Sequence, residues 1–101
     1  MAAGGQDKDG KLSASLDEQI AQTFRNIELA LKHAGAGDDA LSKVISVRSY
    51  HVDLNDETAE QMARHMRRVF PNHRPVLTML GVARLRMEGM KVEIEGVAWI
   101  S

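Results

Sequence analysis

The chain contains no cysteine, so it has neither a disulfide framework nor a thiol nucleophile, and a reducing compartment is its natural home. Aromatic residues make up only 4% of the sequence, which predicts an aliphatic core. There is no basic surplus: the formal net charge is -1, whereas proteins that bind nucleic acid or anionic membranes usually carry one. No apolar run approaches the roughly 18 residues that span a bilayer. The opening MAAGGQDKDG lacks the basic and apolar regions of a signal peptide. These absences predict a soluble cytoplasmic protein without a membrane partner. A chain of 101 residues is long enough for one domain with a single core, and short enough that association with other copies would help to bury apolar surface.

What is present divides into a short lead-in and one domain. Residues 1–14 are rich in Gly, Asp and Lys and read as a flexible lead-in or a tight turn. Ser15-Leu16-Asp17-Glu18 has the form of a capping box and starts a helix. Leu16, Ile20, Phe24, Ile27 and Leu31 then recur at helical spacing opposite Asp17, Arg25, Glu28 and Lys32, and Gly35 is the expected C-cap. Lys43 to Asp53 is rich in β-branched residues and predicts a strand. Asn55 or Asp56 caps a second helix with an inner face of Ala59, Met62, Ala63, Met66 and Val69 or Phe70, and Pro71 stops it.

Val76 to Arg84 and Met90 to Ile100 are β-type runs, read as a hairpin turning through Arg86, Met87, Glu88 and Gly89. The predicted order is therefore helix, strand, helix, strand, strand, an α+β layer with both helices on one sheet face. Alternation in the last strand puts Val92, Ile94, Ala98 and Ile100 on one side, and Glu93, Glu95, Val97 and Trp99 on the other. The second side is too mixed for bulk water and suits a subunit interface or a pocket.

Several motifs together resemble the RidA family, also called YjgF or L-PSP endoribonuclease. They are His73-Arg74-Pro75, Gly81-Val82-Ala83, the run Val92-Glu93-Ile94-Glu95, the helix end AxxHAGA, and the turn from Asp53 to Asp56. The resemblance runs from about Leu16 to Ala98. It implies a fold similar to chorismate mutase of the bacillus type: a mixed sheet with two helices on one face, and three subunits closing a barrel with a pocket at each boundary. It also implies that a leading hairpin of the family is missing, with Gly4-Gly5-Gln6 standing for the family's Ser-Gly-Gln turn.

By position the resemblance assigns Glu95 to orienting the water that attacks a C=N bond, the Met79 amide to ligand contact, and Gly5 to the pocket turn. The family's carboxylate-binding arginine is replaced by Leu77. A guanidinium suits that task because its planar fork meets a carboxylate bidentately. Leaving a buried charge without its partner costs about 2 to 5 kcal/mol, so recognition of acids in the family's usual manner is not expected.

Each of these residues also has a structural role to weigh. Glu93 and Glu95 could pair with Arg84 or Arg86 across the hairpin. Arg74 could supply the missing positive charge, although strand alternation turns it away from Leu77 and favours a solvent or interface role. Arg64, Arg67 and Arg68 beside Arg74 could meet RNA phosphates, but with no aromatic platform a solvated helix face is the simpler role. His33, His51, His65 and His73 lack metal-ligand spacing and are expected to be structural, so no metal or other cofactor is expected, and Met62 and Met66 are core.

Three functions remain open. One is a trimeric hydrolase of imines, enamines or related small carbonyl compounds at an interfacial pocket. The second is a non-catalytic module that binds a small molecule or serves as structure. The weakest is an endoribonuclease, for which no general acid and base pair stands out.

Overall fold

The computed structural model describes residues 1–100. Its elements are β1 (Ala2–Gly4), α1 (Leu16–His33), β2 (Val44–His51), α2 (Asp56–Val69), β3 (Val76–Gly81) and β4 (Val92–Ala98), with a 3-10 turn at Ala40–Lys43 before β2. The strands form one mixed sheet in the order β1-β4-β2-β3. Two helices on one face of a mixed sheet is the α+β, chorismate-mutase-like arrangement that the sequence predicts.

Both helices start where a side chain satisfies an end group, and α1 stops at a closure made by backbone amides. In α1 the Ser15 hydroxyl accepts from the Glu18 amide at 3.3 Å. The reciprocal half of the expected box is absent, because the Glu18 carboxylate pairs with Arg25 at 2.8 Å instead. At the other end Gly35 has φ +95°, and the Ala36 and Gly35 amides reach the Leu31 and Lys32 carbonyls at 2.9 and 3.0 Å. That is a Schellman closure, for which glycine carries no Cβ penalty. In α2 the full reciprocal box forms between Asn55 and Thr58, which settles the N-cap as Asn55.

The predicted stripe of α1 is the core: Ile20, Phe24, Ile27 and Leu31 are buried against Val47, Val92 and Ile94. From α2, Met62 and Met66 join it, together with Phe70 just beyond the helix. Phe24 and Phe70 meet edge to face at 5.7 Å, a favoured geometry for aromatic rings. Ala59, Ala63 and Val69 are only half-buried. Two polar residues of α1 are fully enclosed. Gln19 donates to the Ser13 and Gly89 carbonyls at 2.7 and 2.8 Å and accepts from the Lys91 amide at 2.9 Å. Thr23 donates to the Gln19 carbonyl at 2.6 Å.

Two expectations are corrected. First, β3 and β4 do not form a hairpin. β3 runs parallel to β2, with Val47 opposite Leu77 and Ser49 opposite Met79, while β4 lies antiparallel on the other side of β2, with Arg48 opposite Glu95. A parallel pair needs a crossover such as α2. The connection from Val82 then passes the end of β2, where Val82 and Val52 amides bond to the His51 and Lys91 carbonyls. Second, a strand precedes α1. Ala2, Ala3 and Gly4 pair antiparallel with Glu95, Ile94 and Glu93, and the Asn26 side chain donates to the Gly4 and Gln6 carbonyls at 2.9 and 2.8 Å. Three small residues carry no β-type pattern, so this strand exists only because β4 offers an edge.

Candidate functional site

The two faces of the sheet differ sharply. On the helix side of β2 and β4 lie Val47, Ser49, His51, Val92 and Ile94, all buried. On the open side the alternate residues Ser46, Arg48, Tyr50, Glu93, Glu95 and Val97 stand free of the helices, partly or largely exposed. Register brings three of them together. Arg48 lies directly across the ladder from Glu95, and the Arg48 Nη1 approaches Glu95 Oε1 at 4.0 Å. Tyr50 donates its hydroxyl to the same Oε1 at 3.2 Å. Ser46, Arg48, Glu95 and Val97 line a cleft of about 200 Å³.

This cleft holds the one predicted catalytic carboxylate, and its chemistry is that of a held acceptor beside a cation. Oε1 is engaged by Tyr50, and no hydrogen bond from a described residue reaches Oε2. The Glu95 side chain is 38% exposed and that of Arg48 63%, so both remain accessible. The expected pairing of Glu93 and Glu95 with Arg84 or Arg86 does not occur, since β2 occupies the place of the hairpin partner. Arg48 and Tyr50 were not singled out from the sequence. The signal was there in the alternation of β2 around buried Val47 and Ser49, but it points to Glu95 only once β2 is known to pair with β4.

The other predicted residues are dispersed. Leu77 and Met79 lie on the edge strand β3, opposite Val47 and Ser49 and therefore on the helix side, half-buried against the core. Within one chain neither shares a face with Glu95. Gly5 is buried at the opposite sheet edge, where a Cβ would come within 2.7 Å of the Gln19 carbonyl oxygen. Arg74 turns back to the end of α2 and donates to the Phe70 and His73 carbonyls at 3.2 and 3.4 Å.

Several other titratable groups are tied to structure. Arg67 pairs with Glu60 at 3.1 Å. His65 is held between Asp17 at 2.7 Å and Arg68 at 2.8 Å, and His73 Nε2 donates to the Val44 carbonyl at 2.8 Å. His51 touches the Ser49 hydroxyl at 2.8 Å through Nε2, while its buried Nδ1 has no partner among the described residues. Burial lowers the His51 pKa below the ordinary imidazole value. Among the described residues no group of three or more His, Asp or Glu side chains could hold a metal. No described helix is long and apolar enough to cross a membrane. A larger concavity of about 670 Å³ lies at the far end of β4, lined by Val52 and the loop from Arg84 to Met90, and none of the predicted site residues lines it.

The fold and the open-face cleft define a small α+β protein of the YjgF type, and its relatives agree. The profile of the family described as Endoribonuclease L-PSP matches residues 2–100, and the chain belongs to that family. It is similar to Rv2704, a member of the YjgF/YER057c/UK114 family from Mycobacterium tuberculosis, with 28% identity, a TM-score of 0.83, and coverage of 99% of this chain and 75% of that one. A hypothetical protein from Giardia lamblia shares 32% identity at a TM-score of 0.79, covering 96% of this chain and 75% of that one. The Rid family protein YyfB from Yersinia pestis has the same fold, with a TM-score of 0.87, 22% identity, and coverage of 98% and 74%. No curated protein gives a match.

Proposed function

We propose that this chain is a homotrimeric small-molecule hydrolase of the imine or enamine type, with a cleft at the subunit boundary and Glu95 positioning the attacking water. The observation that carries this reading is the Glu95 carboxylate, fixed through Oε1 by Tyr50 at 3.2 Å. Its other oxygen is left to orient a water and accept a proton as the C=N carbon is attacked. Leu77 and Met79 on one sheet edge, and Gly5 beside the other, are taken as ligand contacts that only neighbouring copies could bring to a shared boundary. Arg74, held on the end of α2, takes an interface role in this scheme.

A second function is favoured by one particular residue. Leu77 stands where the family's carboxylate-binding arginine is expected, so a member that binds a small molecule without transforming it fits the chain as well. Ribonuclease activity is the weakest of the three, because Arg67, Arg68, His65 and His73 are engaged in internal contacts.

The test is competition with semicarbazide for imines generated in situ by an amino-acid oxidase. Glu95→Gln should slow hydrolysis by about 100-fold or more, within the range expected for loss of a positioned acid-base group. Equal turnover by the two proteins would remove Glu95 from the mechanism, and no turnover by either would favour the binding module.

A further inference from the structure

We infer that the loop of residues 84–90 carries a second ligand site, for a small organic phosphate monoester: Arg84 and Arg86 take the phosphate, and a floor of Val52, Met87 and Met90 takes the organic body. These residues line the concavity of about 670 Å³ at the far end of β4. None of them lines the cleft of Ser46, Arg48, Glu95 and Val97, so the site stands apart from the proposed hydrolysis.

A loop binds a ligand well when it is already held in the bound shape, because little ordering is left to oppose association. This loop is held at both ends and in the middle. At its ends the Val82 amide donates to the His51 carbonyl at 2.8 Å, and the Val52 amide donates to the Lys91 carbonyl at 3.2 Å. Gln19, fully buried on α1, donates to the Gly89 carbonyl at 2.8 Å and accepts from the Lys91 amide at 2.9 Å. The Met90 amide closes a turn on the Met87 carbonyl at 3.1 Å, with Gly89 at φ +87°, and the Gln6 amide nitrogen donates to the Met87 sulfur at 2.9 Å.

The chemistry of the lining selects the ligand. Leu85 is half-buried while Arg84 and Arg86 on either side of it are exposed, and both arginines line the same concavity. Neither is held by an ion pair among the described residues. Glu88 is the one acid in the lining, so two cations against one carboxylate leave a positive surplus. A carboxylate is filled by a single guanidinium fork. Two forks at one concavity suit an anion with three terminal oxygens and nearly two charges, which a phosphate monoester carries near neutral pH. Val52 and Met87 are apolar yet 40% and 39% exposed, and covering them favours an organic phosphate over the inorganic ion. A neighbouring concavity of about 480 Å³ shares Val52, Gly89 and Met90 and reaches Leu16, which gives the organic body room.

Calorimetric titration with phenyl phosphate, benzoate, inorganic phosphate and methyl phenyl phosphate tests the site without reference to turnover. Phenyl phosphate should bind most tightly: benzoate lacks the third oxygen, the inorganic ion lacks the apolar body, and the diester lacks the second charge. Arg84→Gln and Arg86→Gln should each weaken phenyl phosphate by about 10-fold or more, as expected for loss of hydrogen bonds to a charged group. Val52→Ser should weaken phenyl phosphate and leave inorganic phosphate unchanged. Arg64→Gln removes the same charge from the outer face of α2 and should change neither, and an unchanged urea midpoint would show that the loop variants fold.

Phenyl phosphate bound no better than benzoate, or not at all, would overturn the site. So would an affinity that neither loop arginine affects, or one that Arg64→Gln lowers as much as they do, since attraction to the whole charged surface would then explain the binding. A diester bound as tightly as the monoester would likewise remove the second guanidinium from the argument and the inference with it.

Discussion

The two faces of the central strands share a backbone and differ in every other respect. On β4, Val92 and Ile94 are fully buried under α1, while Val97 is 48% exposed and Trp99, just past the strand, 70% exposed. On β2, Val47 is enclosed while its neighbour Arg48 stands in the open. Strand geometry forces this, because successive side chains point to opposite faces. Such a strand carries two messages at once, one satisfied by its own helices and the other addressed to something outside the chain. Apolar groups at the margins of the open face, such as Val76, Val97 and Trp99, suit a second copy, and the charged centre at Arg48 and Glu95 suits a ligand.

The largest expected effect comes from breaking the closed face. Ile94 is fully buried, and Ile94→Ala removes buried volume where the sheet and α1 cannot collapse around it, at a cost of about 2 to 5 kcal/mol. Val97→Ala, three residues along on the open face, should cost the isolated fold under about 0.5 kcal/mol. Urea unfolding of the two variants decides; equal losses would mean that the open face is packed as tightly as the core.

The open face is probed next by assembly. If a second copy covers it, the wild type should elute with about three times the 11.2 kDa chain mass, and Val97→Asp with Trp99→Asp should shift it toward monomer while leaving helix content intact. Burying either unpaired carboxylate would cost several kcal/mol, enough to dissociate the assembly at micromolar concentration. Light scattering coupled to size exclusion reads the mass, and a wild-type monomer would break the proposal of a homotrimer.

The smallest effect belongs to a titration on the closed face. His51 is 1% exposed, and burial lowers its pKa from the ordinary 6.5. The folded state therefore binds this proton less readily than the unfolded chain, so stability is fully present above the ordinary value and declines as pH falls through and below it. Between pH 7 and pH 5 the wild type should lose stability, and His51→Leu should flatten that part of the slope. Urea midpoints across the range measure it, and identical slopes would mean that His51 is solvated.

Much of this was readable beforehand, and the rest was not, for identifiable reasons. The stripe Ile20, Phe24, Ile27, Leu31 announces α1 because helical period is written in consecutive residues. Gln19 and Thr23 lie on the same buried face but read as solvent residues; only the carbonyls of Ser13 and Gly89 explain why a glutamine belongs there. For the site, the resemblance pointed to Glu95 and to the replacement at Leu77. It does not lead to Arg48, because no local pattern places β2 between β3 and β4.

The sequence by itself determined where both helices and the three later strands form, which face of each is apolar, and which family the chain resembles, because propensity, capping and periodicity act over a few residues. Tertiary structure alone decided that β2 separates β3 from β4, that Ala2–Gly4 becomes a strand, and that Arg48 stands beside Glu95 while Leu77 faces away. Strand order is settled by backbone pairing between distant segments and by the burial of one shared core, and neither leaves a local pattern to read.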